Sequence, residues 1–192
     1  VAAGNIQNNG SGGALRFAGT ARNTIAVTLT PEYAGATMTG DGGSNLGTMT
    51  SDFCSNSLGI NATICGASNT HNYYSWTSAS ASQDYDIWTR WQVPSNFDST
   101  QTFPTINFNG WRTNTSTDVI TLNVYNNNSG TACGSVSIGG SNGAWATSGN
   151  VAAGACVINP GDVLTLDAHL ANGGAGDFVR IGEINISYLA NF

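Results

Sequence analysis

Apolar and polar residues alternate along most of this chain, in runs of about five to ten separated by turns rich in Gly, Asn, Asp and Ser. The clearest run is Val163 to Leu170, where Leu164, Leu166, Ala168 and Leu170 share one face and Thr165, Asp167 and His169 take the other. Val119 to Tyr125 repeats it, with Ile120, Leu122 and Val124 one way and Thr121, Asn123 and Tyr125 the other. Thr24 to Thr30 turns Ile25, Val27 and Leu29 inward. In Asp84 to Val93 the inner set is Tyr85, Ile87, Trp91 and Val93, and the outer set Asp84, Asp86, Trp88, Arg90 and Gln92. Phe178 to Leu189 changes phase: Val179 and Ile181 have one parity, Ile184, Ile186 and Tyr188 the other. A β-bulge at Gly182 would reset the alternation. Weaker strands are expected near Tyr33–Met38, Asn72–Ser78, Thr105–Asn109, Gly134–Ile138 and Gly143–Thr147.

No stretch sustains a helical period. About nine or ten strands with polar outer faces imply an all-β fold of two packed antiparallel sheets, a jelly-roll-like β-sandwich. Residues 24–192 read as one such domain, without an internal repeat. Residues 1–23 differ: they are rich in Gly and Asn and offer one short amphipathic stretch, Ala14 to Ala18. That segment reads either as a leader followed by a first strand, or as a donor strand that completes a neighbouring subunit's sheet with Leu15 and Phe17 as apolar anchors.

Composition narrows the class. Of 192 residues, 40% are hydrophobic and only 8% charged, against roughly 25% charged in ordinary soluble domains. There is no lysine, so Schiff-base chemistry, a P-loop and Lys–Asn cross-links are all excluded. A net charge of −6 with five scattered arginines argues against nucleic acid and anionic lipid as partners. No run approaches the 18 or so apolar residues of a membrane span, and Val1-Ala2-Ala3-Gly4 reads as a mature terminus left by cleavage. Four cysteines fall into two close pairs, Cys54 with Cys65 and Cys133 with Cys156. Two sequential disulfides, each stabilising by about 3 kcal/mol in the chain-entropy model, are preferred over buried thiols. They place the chain outside the cell.

The side chains that could carry catalysis lack the arrangements it needs. Glu32 follows Pro31 in a turn, Glu183 lies on the outer parity of the last strand, and Asp84 and Asp86 are about 7 Å apart on one strand face without the further residues that catalysis needs. His71 and His169 lack a G-x-S-x-G elbow; His71 reads as a packing or hydrogen-bonding residue, and Asp167 with His169 as solvated. The expectation is therefore a non-enzyme without a cofactor. Calcium is the one metal considered, at Asp41 and Asn45 in a loop of hard oxygen donors. Sequons occur at Asn9, Asn61, Asn114, Asn127 and Asn185; Asn61, between Cys54 and Cys65, is the best placed for a glycan.

Trp88, outward on a strand with Asp84, Asp86 and Arg90 beside it, admits three readings: a sugar-binding patch, a subunit interface, or a ring covered by a neighbouring loop. Trp111 and Trp145 sit near turns.

The segments Arg22 to Ala36 (RNTIAVTLTPEYAGA), Gly47 to Thr50, Tyr73 to Trp76, Asp84 to Ile87 and Val93 to Phe97 resemble jelly-roll surface domains in secreted proteins of small-genome, uncultivated bacteria, over about residues 22 to 189. In layout alone, a polar arm before a β-sandwich also resembles prokaryotic filament subunits that polymerise by donor-strand exchange. The first expectation is thus a structural subunit of an extracellular filament or cell-surface assembly, its partner being itself. A carbohydrate-binding or adhesive module with a glycan partner is the alternative, and a viral tail or capsid decoration protein a further one.

Overall fold

The computed structural model describes residues 5–8, 15–18, 23–40, 43–53, 71–101, 103–114, 116–138, 143–154 and 156–191. Among them the alternating runs become strands: β1 (Asn5–Asn8), β2 (Leu15–Ala18), β3 (Asn23–Leu29), β4 (Thr37–Thr39), β5 (Gly47–Phe53), β6 (Asn72–Ser78), β7 (Gln83–Gln92), β8 (Thr105–Arg112), β9 (Val119–Asn126), β10 (Thr131–Ser137), β11 (Ala146–Thr147), β12 (Val163–Asn172) and β13 (Phe178–Ala190). A front sheet runs β10-β9-β12-β7-β4 and a back sheet β11-β8-β13-β6-β5, with β3 also on β13; every pairing is antiparallel. β1 and β2 pair with each other.

The two sheets form a sandwich because each has one apolar face. Ile87, Ile120, Leu122, Val124, Leu164, Leu166 and Leu170 of the front sheet meet Trp76, Ile106, Phe108, Val179, Ile181, Ile184 and Ile186 of the back sheet in one buried cluster. Burying each such side chain stabilises by about 1.5–3 kcal/mol. The phase change in β13 is a bulge: its register with β8 shifts between Ile181 and Ile184, so apolar residues on both sides of Gly182 point inward.

Local chemistry accounts for departures from the expected strands. The Tyr33 hydroxyl donates to the Gly182 carbonyl at 2.5 Å, and the Tyr33 amide donates to the Tyr74 hydroxyl at 3.0 Å. Tyr33 is thereby held by the back sheet while Thr37–Thr39 pair with β7 of the front sheet, so only the end of the expected strand is extended. Among the described side chains of β5, Met49 is the one apolar residue packed on the core, too few for an alternation to be readable.

The strand ends are pinned by buried polar groups. Arg112 Nη1 donates to the Asp118 carbonyl at 2.6 Å, while the Asp118 carboxylate accepts from the Asn114 and Gly173 amides at 2.8 and 3.1 Å. Burial nevertheless raises the Asp118 pKa. Cys133 and Cys156 form the expected disulfide, tying β10 to the loop before β12. Beside it, a side chain at Gly134 (φ 148°) would meet the Ala152 carbonyl oxygen at 2.1 Å, so the bulge in β10 needs glycine there.

Candidate functional site

The outer face of the front sheet collects the polar parity of four strands. On β7 it presents Asp84, Asp86, Trp88 and Arg90, as the alternation predicts, because Ile87 and Thr89 between them are buried. Register then brings Asp167 of β12 opposite both Trp88 and Asn123, His169 opposite Asp86 and Thr121, and Thr165 opposite Arg90 and Tyr125. Trp88 and Tyr125 stack with centroids 6.2 Å apart and planes 27° apart, reaching toward one another from the two strands that flank β12. Trp88 Nε1 donates to Thr39 Oγ1 of β4 at 3.1 Å, which fixes the indole from its other side.

Beside the rings lies a set of charges. His169 Nδ1 is 2.7 Å from Asp86 Oδ1, and that bond raises the histidine pKa. Asn123 Nδ2 donates to Asp167 Oδ2 at 3.1 Å, but Asp167 Oδ1 is buried without a hydrogen-bond partner. Asp167 is only 5% exposed, against the solvated position expected for it. The alternation assigns its face correctly, but the neighbouring outer side chains cover it. Burial, with the Asp86 charge adding, pushes its carboxyl up to about 6. The Tyr125 hydroxyl is shifted up as well, by burial and then by Asp167 and Asp86. Arg90 is exposed.

The outer face of the back sheet also gathers aromatic rings, in a different way. Trp111 and Phe178 stack at 4.8 Å and 8°. The Arg180 guanidinium lies 4.9 Å from the Tyr73 and Trp111 centroids and 4.4 Å from Phe178. Arg180 is 6% exposed, and burial lowers its pKa. Beside it, Glu183 Oε2 is 2.6 Å from His71 Nδ1 and accepts from Asn109 Nδ2 at 3.2 Å, with Trp145 packed on His71 and Tyr73. His71 is therefore a bonded packing residue, and Trp111 is the next-to-last residue of β8, which runs past the end expected at Asn109. Two clefts lie elsewhere, one along Pro31, Glu32, Ser51, Asp52, Asn72 and Tyr73, the other along Asn126, Thr131, Val157 and Asp162. Neither contains a stacked ring pair.

The remaining sequence candidates are dispersed. Leu15 and Phe17 fall on β2. Asn114 accepts from Ser116 through Oδ1, and Asn127 Oδ1 accepts from Thr165. Asn45 is exposed, and among the described residues no cluster of three His, Cys, Asp or Glu could hold a metal ion. Cys54, Cys65, Asn61 and Asp41 lie outside the described residues. Tyr125, Asp167 and Arg180 were not singled out as site residues. Parity put Tyr125 on the outer face, but only strand order shows that it meets Trp88.

No family model matches the chain, and no curated protein matches it. Among solved structures, the neighbours include carbohydrate-binding β-sandwich modules. One is TmCBM61, solved in complex with β-1,4-galactotriose, at 12% identity and TM-score 0.48 over 80% of this chain and 88% of that one. A family 11 carbohydrate-binding module from Clostridium thermocellum, in complex with a mixed-linked tetrasaccharide, is similar at 10% identity and TM-score 0.44 over 90% and 99%. The K1 cleaved adhesin domain of Lys-gingipain from Porphyromonas gingivalis W83 follows at 13% identity and TM-score 0.47 over 88% and 99%. At such identities and scores these likenesses carry no argument about what this chain binds.

Proposed function

We propose that this domain is a non-catalytic, extracellular carbohydrate-binding module whose binding surface is the outer face of the front sheet. The observation that carries the reading is the stacked Trp88–Tyr125 pair beside Asn123, Asp167, Asp86 and His169. Aromatic faces pack against the C–H faces of a pyranose, and adjacent side-chain oxygens and nitrogens bond its hydroxyls. The extracellular setting rests on the Cys133–Cys156 disulfide. Affinity electrophoresis against galactan, mixed-linkage β-glucan, xylan and chitosan tests the reading. Retardation by at least one polymer is expected, weakened roughly tenfold or more by Trp88→Ala. Absence of retardation by any, or retardation unchanged in Trp88→Ala, sinks it.

A second reading keeps one observation in its favour. β3 pairs β13 along one edge and no other described strand along the second. A donated N-terminal arm carrying Leu15 and Phe17 could pair there, which would make a filament. Negative-stain microscopy of the isolated protein separates the two: regular filaments lost on deleting residues 1–18 favour assembly, and dispersed particles remove it.

A further inference from the structure

The charges around the ring pair bear on which saccharide this face prefers. Sharing the outer face with Trp88 and Tyr125 are Asp84, Asp86 and Arg90 from β7 and Asp167 and His169 from β12; β4 contributes only Thr37 and Thr39 on this side. Three carboxylates thus stand against one arginine and one histidine, and the histidine is committed to Asp86. Asp167 is the unusual member. It is 5% exposed, has an oxygen without a partner, and lies directly opposite Trp88. A buried anion on β12, between the strands that carry the two rings, makes a field that attracts a cation without having to touch it, because low dielectric strengthens the attraction and the ring quadrupoles add to it. The back face offers the contrast, since its buried charge is a cation already enclosed by three rings.

We infer that the front face prefers a saccharide carrying a protonated amine, of the glucosamine type, over its neutral or acidic counterparts. The inference rests on the reading of this face as a saccharide surface. An ammonium group seated over Trp88 and Tyr125 would add to the positive charge that His169 offers Asp167. Acetylating the amine removes that charge and keeps the ring. A uronate would meet Asp86 and Asp167 with like charge.

The test is titration calorimetry with glucosamine oligomers, the matching N-acetylglucosamine oligomers and galacturonate oligomers, at about pH 6.5 and low salt. Binding of the amine oligomer roughly tenfold tighter than the acetylated one is expected, with the acidic oligomer weakest. The preference should collapse in about 0.5 M NaCl. Asp167→Asn keeps the shape of the side chain and should cut the preference, read as the ratio of the two oligomers' affinities in the same variant, at least threefold or so. The preference should also shrink at about pH 5, where Asp167 takes up a proton and His169 is more fully charged. Equal or tighter binding of the acetylated oligomer, with Trp88→Ala still damaging, overturns the amine preference and leaves the saccharide reading standing. A lysine peptide of matched charge that binds as tightly as the amine oligomer also overturns it, by showing that charge alone is read. Binding of no saccharide at all removes both.

Discussion

The two outer faces of this sandwich solve the same problem in opposite ways. Each holds a buried charge among aromatic rings. On the back face Arg180 is enclosed by Tyr73, Trp111 and Phe178, and its charge is met by their π-faces. On the front face Asp167 lies beside Trp88 and Tyr125, whose negative faces do nothing for an anion, and one of its oxygens has no partner. Both burials desolvate a charge, and Arg180 Nε and Nη1, like Asp167 Oδ1, have no hydrogen-bond partner, but the cation sits against π-faces that favour its sign. A buried anion bonded through one oxygen alone, to Asn123, beside rings that do not favour its sign, marks where a second molecule would matter.

The comparison is most easily broken on the back face. Trp111→Ala removes one wall of the Arg180 enclosure and the stack on Phe178. A loss of about 3 kcal/mol in urea unfolding is expected, with saccharide binding unchanged. A loss of binding instead would mean that the back face is the working surface. On the front face the sign reverses. Burial raises the Asp167 pKa to about 6, above its unfolded value, so its favourable contribution is fully present below about pH 4 and is lost as pH rises through 6. Asp167→Asn should therefore stabilise the protein by about 2 kcal/mol at neutral pH, and the gain should fade toward pH 4. Thermal melts across that range give the answer; a destabilised variant at neutral pH would show that the carboxylate is structural.

Alternation made much of this architecture readable before any coordinates. It put Leu164, Leu166 and Leu170 in the core and gave the bulge at Gly182. It also put Asp84, Asp86, Trp88 and Arg90 on one face. It could not pair those residues with Tyr125 and Asp167, because parity is a property of one strand, whereas a site is a property of strand order. β7 and β9 are separated by β12, which follows both in sequence and joins them from between. For the same reason Arg180 read as one of five scattered arginines. Nothing local to Phe178-Val179-Arg180 indicates that Trp111 and Tyr73 arrive from two other strands. The solvated reading of Asp167 failed on a related point. An outward side chain is buried when large neighbours lean over it, and period two says nothing about neighbours on adjacent strands.

Smaller effects sharpen the contrast between the faces. Trp88 is half-buried and bonded once, to Thr39, so Trp88→Ala should cost only about 1 kcal/mol of stability while removing most saccharide affinity. Binding thus suffers more than stability on the front face, and stability more than binding on the back.

The smallest effect is at His169. Its bond to Asp86 raises its pKa above the unfolded value, so its contribution is fully present below about pH 6.5 and disappears as pH rises through the raised folded value. The side chain is about one-third exposed, and solvent screening limits the contribution to no more than about 1 kcal/mol. His169→Gln should therefore be slightly less stable than the parent in mild acid and indistinguishable from it in mild alkali. Asp167→Asn differs from the parent most at neutral pH and least in acid, so the two variants depart from the parent in opposite senses and over different ranges. Melts that instead show both variants moving together would mean that His169 and Asp167 titrate as one unit, and that the carboxylate opposite Trp88 does not act on its own in setting this face apart from the back.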